Sequence, residues 1–430
     1  MRKKKVLIIA YYFPPLGMGG VQRITKFVKY LPSFGWEPYV LTVKDITYPA
    51  KDYSLLKEVP AEAKVIRTGS FDPLRISFLL KSILGKKHSP DQSLWKKTVA
   101  SSKFTSWIFP LDNKTGWVPF ALRKGLRLHK KEKFDLIFTS SPPPSLHVTG
   151  YLLSLFTGLP WIADFRDPWI GYKLERFPTP LHLFIKNETQ KIIIKKAKRI
   201  IAANPSVKEE LERLCRKTRE IQLVEQGYDE EDFGGGQANQ GEIFTIGYLG
   251  TFSPDCDPTP FFSAWGEMID KGMIPRERVR FIHAGISAGI NLNRMLEKYN
   301  LKDLVHLKGY LPHRESLDLM KKTSLLLLVT ADHPSIFPAK VFEYLRLKKP
   351  ILGIMPEKSQ IAKFIIRMKA GKVLSPEDPD GIKKSLFSYL EDFKRGELAF
   401  DSNPDEVVRF ERRSITARLS FLFDKAAGRS

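Results

Sequence analysis

The sequence predicts an α/β protein built from two doubly wound domains, each a parallel sheet wrapped by helices. Three observations predict it. The chain has 430 residues, more than one compact core organises. Short apolar runs alternate with helical patterns along nearly the whole length, as in parallel strands joined by crossover helices. A polar, glycine-rich stretch at residues 234–241 suits a linker between two such series.

In the first series, Val6–Tyr11 reads as a buried strand, followed by the loop Phe13-Pro-Pro-Leu-Gly-Met-Gly-Gly20. Val21 to Phe34 has helical spacing, with Ile24, Phe27, Val28 and Leu31 on one face. Further strands are expected at Tyr39–Val43, Asp135–Thr139, Trp161–Ala163 and Arg199–Ala203. The second series has strands expected at Phe244–Tyr248, Val279–His283, Val305–Leu307, Leu325–Val329 and Pro350–Gly353. The resulting boundaries are a first domain over 1–205, a linker region over 206–241 and a second domain over 242–409, with a cleft between the domains.

Charge is unevenly spread. Residues 1–200 hold 35 Lys+Arg against 14 Asp+Glu, a net of +21, whereas the remainder carries only +2 of the total +23. The first half therefore suits an anionic partner, nucleic acid or acidic lipid headgroups, or else it is a solubilising surface. No RRM, KH, zinc-finger or helix-turn-helix signature supports nucleic acid. Within 74–117, Ile76, Leu79, Leu80, Ile83 and Leu84 share a helical face. Trp95, Phe104, Trp107, Ile108 and Phe109 follow, interleaved with lysines. Apolar anchors with cations describe an interfacial segment; a helical insertion packed on its own domain is the alternative.

The basic start Met1–Lys5 and apolar Val6–Ala10 imitate a signal peptide, but the apolar run is too short and reads as a strand. No run approaches the roughly 18 apolar residues of a spanning helix. Cys215 and Cys256 form no CxxC, so neither a disulfide framework nor a cysteine zinc site is expected. A cytoplasmic protein, peripheral to the inner face of the membrane, is the expectation.

Three constellations carry chemistry. Gly17, Gly19 and Gly20 sit between a strand and a helix, where amides approach a phosphate closely. The spacing is not that of a dinucleotide loop. Asp164, Arg166 and Asp167 follow the strand at 161–163, at the edge where open α/β sheets bind ligands. Arg166 suits a diphosphate, and either carboxylate, Asp164 or Asp167, suits a hydroxyl; an Arg–Asp pair that shapes the loop is the other reading. His147 reads as structural. In Ser335-Ile-Phe-Pro-Ala-Lys-Val-Phe-Glu343, Lys340 and Glu343 lie one helical turn apart. The lysine and the helix-terminal amides around Phe337, Pro338 and Ala339, of which Pro338 itself has no N–H, suit a diphosphate, and the carboxylate suits a ribose diol. A surface ion pair between Lys340 and Glu343 is the alternative.

In these segments the chain resembles glycosyltransferase family 4. The matching pieces, in order, are Tyr11–Gly20, Val224–Phe233, Ile246–Gly250, Lys340–Pro350 and the end from Phe410 to Ala426. The resemblance implies the GT-B fold, with a last helix (410–430) returning to the first domain. It implies transfer of a sugar, with retention, from a nucleotide diphosphate sugar to a lipid-linked or cell-surface glycan. It assigns the donor to the second domain and the acceptor to the first, with Glu343 on the ribose and Gly19 and Gly20 near the phosphates. Arg166, Asp167 and Lys340 become the candidate catalytic groups. No obligatory metal is implied, no DxD metal segment is evident, and the nucleotide sugar is a co-substrate, not a cofactor. Two positions depart from the family pattern. Ser335 stands where the first glutamate of an E-x7-E pair falls, and Thr251–Asp257 lacks the usual Arg and Lys. An epimerase or hydrolase of the same fold, a non-catalytic basic binding protein and a degenerate transferase are the rival readings.

Overall fold

The structure is a computed structural model describing residues 3–17, 19–48, 51–84, 107–169, 178–234, 241–330 and 337–428. The chain divides into two compact units, Met1–Gln226 with Arg412–Ser430, and Gly227–Glu411.

The strands of the first unit are β1 (Lys4–Ile9), β2 (Trp36–Val43), β3 (Lys64–Thr68), β4 (Leu136–Ser141), β5 (Trp161–Phe165), β6 (Arg199–Ala202) and β7 (Ile221–Leu223). Its helices are α1 (Gly19–Tyr30), α2 (Pro73–Ile83), α3 (Val118–Glu132), α4 (Ser145–Thr157), α5 (Pro180–Lys196) and α6 (Pro205–Leu214). The strands run parallel in the order β3-β2-β1-β4-β5-β6-β7. Both faces are covered, so the central strands read as continuous apolar runs. The period of two sorts their side chains between two cores. Val6, Ile8, Val40, Phe138 and Ile201 pack on one face with Ile24, Phe27 and Val28 of α1. Leu7, Ile9, Leu41, Ile137 and Ala163 pack on the other with Leu146 and Leu153 of α4.

The last helix, Arg412–Ala426, belongs to this unit. Ile415, Leu419, Leu422 and Phe423 enter the α1 face of the core, and Phe423 meets Trp36 edge-on at 5.3 Å. Residues 206–226, assigned to a linker by the sequence, supply most of α6 and the edge strand β7. Strand β3 is also absent from the sequence expectation, because Lys64 and Val65 are exposed and no apolar run marks it. Over 74–117, α2 buries Leu74 but exposes Ile76, Leu79, Leu80 and Ile83, and Leu84, Trp107 and Ile108 are exposed as well. Residues Trp95 and Phe104 lie outside the described residues.

The second unit contains β8 (Phe244–Leu249), β9 (Val279–Ala284), β10 (Val305–Leu307), β11 (Leu325–Val329), β12 (Ile351–Ile354) and β13 (Gly371–Leu374). Its helices are α7 (Thr259–Asp270), α8 (Leu292–Lys298), α9 (His313–Lys321), α10 (Lys340–Leu347), α11 (Gln360–Arg367), α12 (Pro379–Arg395) and α13 (Pro404–Val408). The sheet is again parallel, in the order β10-β9-β8-β11-β12-β13. Its order reverses between β8 and β11, as that of the first sheet reverses between β1 and β4. Such switch points open a crevice at the carboxyl ends of the strands.

A buried ion pair ties the first unit together. Arg23, in the middle of α1, gives Nε and Nη2 to the Asp164 carboxylate of β5 at 2.9 and 2.7 Å. Both side chains are fully buried. The guanidinium also donates to the Val224 and Glu225 carbonyls just beyond β7, each at 2.8 Å. Ser140 Oγ of β4 donates to Asp164 at 2.7 Å. Removing one member strands a buried charge, which costs about 3–5 kcal/mol. Asp164→Ala is therefore expected to lose that much in denaturant unfolding, and Arg23→Met/Asp164→Leu much less. A loss below about 1 kcal/mol in the single variant would contradict this account.

Candidate functional site

The first unit presents its candidates where β1, β4 and β5 end. Gly19 and Gly20 open α1. Arg166 follows β5 and is only 8% exposed. Its guanidinium is taken up by main-chain oxygens: Nε donates to Ser141 at 3.2 Å, Nη2 to Pro142 at 2.6 Å and Nη1 to Gly20. Arg166 N–H donates to the same Ser141 carbonyl at 3.0 Å. The structure thus brings Arg166 to Gly20, but the donors that would clasp a diphosphate hold three loop carbonyls. The loop-shaping Arg–Asp pair does not form here; Asp164 is bound by Arg23 instead. Asp167 is half-buried. Burial pushes its carboxyl above the usual range, against the pull of Arg166.

His147 is structural, as its sequence context suggests. It is fully buried, with Nδ1 2.7 Å from Thr139 Oγ1. Its ring stacks on Trp169 at 5.7 Å and lies 4.5 Å from Phe165.

The second unit gathers its groups at the switch point between β8 and β11. Strand β8 ends at Leu249, and Gly250 takes φ +129°. The Lys340 ammonium, from the first residue of α10, lies over the Tyr248 ring at 4.5 Å and 3.4 Å from its hydroxyl. A Cβ at Gly250 would fall 2.0 Å from Lys340 Nζ. The backbone angle calls for glycine there, and a side chain would displace the ammonium from this position. Phe252 stacks on Tyr248 at 4.1 Å, and His283 Nε2 meets the Gly250 carbonyl at 2.8 Å. Burial lowers the Lys340 pKa, opposed by Cys256 and Glu343. Among the described residues no carboxylate lies within ion-pairing distance of Lys340.

The ion pair between Lys340 and Glu343 that their spacing allows is therefore absent. Glu343 turns instead to His313, the first residue of α9, with Oε1 2.7 Å from Nε2. His313 Nδ1 lies 3.5 Å from Asp232 Oδ2. Neither His313 nor Asp232 stands out in the sequence, because only the fold brings them to Glu343. Pro338 and Ala339 lead into α10, whose first turn closes through Val341 N–H to Pro338 O and Phe342 N–H to Ala339 O, both at 3.2 Å. The Phe337 ring is spent on packing, 6.0 Å from Phe342 and 5.3 Å from Phe364. Ser335 lies outside the described residues.

The sequence profile described as Glycosyltransferase Family 4 matches residues 18–232, half of the chain. The chain belongs to glycosyltransferase family 4. It is a glycosyltransferase of GT-B fold, and solved structures share that fold at low identity. Sucrose-phosphate synthase from Thermosynechococcus elongatus superposes with a TM-score of 0.68 at 14% identity, covering 98% of each chain. A glycosyltransferase from Rickettsia africae gives 0.65 at 13%, covering 100% of each. Anabaena HepE in complex with UDP and glucose gives 0.64 at 13%, covering 98% of this transferase and 99% of HepE. No curated protein matches the sequence.

Two histidines make the transferase acid-sensitive. Burial lowers His147 to about 3, and Arg166 adds to the effect. Burial likewise lowers His283 to about 4, opposed by the Gly250 carbonyl. In the unfolded chain each binds a proton near 6.5. Their contribution to stability is full above that value and is lost as pH falls toward the folded values. Within the window each histidine costs about 1.4 kcal/mol per pH unit. Denaturant unfolding at pH 7.0 and 5.5 is expected to show the loss, and His147→Leu to flatten it. An unchanged slope in that variant would exclude His147 as its source.

Proposed function

We propose that this transferase takes its sugar from a nucleotide diphosphate sugar whose nucleotide sits in the second unit, at the Gly250 turn and the first turn of α10. The observation that carries the reading is Lys340. It is an ammonium without a carboxylate partner among the described residues, held at a switch point one turn before Glu343. A diphosphate supplies the missing anion, and the Glu343 carboxylate accepts hydrogen bonds from the ribose hydroxyls. As the bond between the anomeric carbon and the diphosphate oxygen breaks, negative charge gathers on that oxygen. A fixed cation in a partly dry site stabilises it. Lys340 thereby takes the place of the Arg and Lys that the family pattern puts after Gly250. The acceptor hydroxyl forms the new bond and gives up its proton to the departing diphosphate oxygen, with retention at the anomeric carbon. The acceptor belongs to the first unit, where Asp167 orients it. Arg166, engaged with three carbonyls, shapes the loop around Gly20. HepE, which shares the fold, forms complexes with UDP and with UDP-glucose, which makes uridine the first base to test.

A thermal-shift panel of UDP, GDP, ADP and their sugar conjugates tests the donor. A ligand at a hundredfold excess over Kd adds about 2.7 kcal/mol to stability. One base family is expected to shift the transition, with the shift abolished by Lys340→Ala and by Glu343→Ala. Shifts that survive both substitutions would remove this site from the mechanism.

The acceptor in this reading is a lipid-linked or cell-surface glycan, reached from the cytoplasmic face of a membrane during polysaccharide synthesis. The first half carries the charge, and α2 with Trp107 and Ile108 exposes the apolar anchors. No helix among the described residues is long and apolar enough to cross a membrane, and this reading takes the contact to be peripheral. Each cation near an anionic surface adds about 1 kcal/mol, weakened by salt. Co-sedimentation with phosphatidylglycerol vesicles is expected to exceed that with phosphatidylcholine vesicles, and to fall in Leu80→Asp/Ile83→Asp. Equal binding to both vesicle types would defeat the membrane assignment.

A further inference from the structure

We propose that His313 is a positioning residue for the donor, its imidazole holding the Glu343 carboxylate in the orientation that accepts the ribose diol. The inference rests on the reading of Glu343 as the ribose acceptor and extends it to a residue whose role that reading leaves open.

The argument begins with the carboxylate. The terminal torsion of a glutamate is broad, so a free Glu343 sweeps its two oxygens through many orientations. Gripping two neighbouring hydroxyls requires both oxygens in one plane. The hydrogen bond between His313 Nε2 and Glu343 Oε1, 2.7 Å long, fixes that plane. It occupies one acceptor position on Oε1, leaving Oε2 and the second lone pair of Oε1 for hydroxyls.

The imidazole is held in turn. Nδ1 faces Asp232 Oδ2 at 3.5 Å, and Arg314 Nε lies 3.6 Å from the other Asp232 oxygen. Asp232 is itself buried, in the short 3-10 turn Glu230–Asp232. That turn is also clasped directly to α10, by Glu230 with Arg346, one turn beyond Glu343. The main chain at His313 is anchored too, because its carbonyl accepts from Ser316 Oγ at 2.6 Å. Glu343, His313 and Asp232 thus form a row, joined by a hydrogen bond at Glu343 and by an electrostatic contact at Asp232, on elements that are themselves pinned. Supporting shells of this kind convert a carboxylate that is merely present into one that is aimed.

A structural role alone would change stability. A positioning role changes how well the site distinguishes a ribose from a deoxyribose. The test is titration calorimetry of the full chain with UDP, GDP and ADP, each beside its 2′-deoxy counterpart. The wild type is expected to prefer the ribonucleotide of its base about tenfold or more, the worth of a hydrogen bond to a charged acceptor. His313→Ala is expected to reduce that preference to below about threefold. His313→Gln, which keeps a donor near the Nε2 position, should retain it. His313→Asn, whose amide reaches toward Asp232 but not Glu343, should lose it, and carries the test if the alanine variant does not fold. A preference unchanged in the Ala or Asn variant but abolished by Glu343→Ala would overturn the role of His313 and leave the ribose site standing. A preference that survives Glu343→Ala, or no binding of any nucleotide, would overturn the ribose reading and this proposal with it.

Discussion

The Arg23 guanidinium is the constraint on which the first unit depends. A charge with no exposure has to be matched group by group, and from its place in α1 it draws its partners from β5 and the segment after β7. Asp164 in turn is fixed by Ser140 at the end of β4. The ends of β4 and β5 and the first turns of α1 are thereby set in register. Arg166 then closes the same region from the other side, binding the carbonyls of Ser141, Pro142 and Gly20. One buried cation organises the sheet and a second organises the loop above it. Arg166, which the sequence offers to a ligand, is engaged in the folded unit, as is Arg23.

The second unit solves the opposite problem. Its Lys340 is drawn into an aromatic and glycine-lined corner, against Tyr248 and over Gly250. A ring face attracts an ammonium without neutralising it. Among the described residues the charge is therefore placed but not spent, which distinguishes it from Arg23 and Arg166. Glu343 shares its helix and faces His313, so cation and anion on one turn are kept apart by different neighbours.

Most of the architecture was legible in the sequence. Strands buried on both faces announce themselves as apolar runs: Leu325–Val329 coincides with β11, and the central strands β1, β4, β5 and β8 fall within a few residues of their expected places. The edges did not announce themselves. Strands β3 and β13 are half-exposed, and β7 is three residues long. The site was legible only where local spacing carries it. Lys340 and Glu343 are one turn apart, so their common helix could be read. The contact of Glu343 with a histidine thirty residues earlier could not. The actual commitments of Arg166 were hidden for the same reason, since its acceptors are backbone oxygens that no side-chain pattern encodes.

The helix Arg412–Ala426 has a consequence for synthesis. It completes the α1 face of the first core, yet the ribosome makes it only after the whole of residues 227–411. While the second unit emerges, Ile24, Phe27 and Val28 wait without their final cover. The second unit is contiguous in sequence and can close as it is made, but the first cannot reach its mature packing until translation has passed residue 426. An interrupted message would thus yield an amino-terminal fragment with an open apolar face, a target for chaperones or proteases although every strand of its sheet is present.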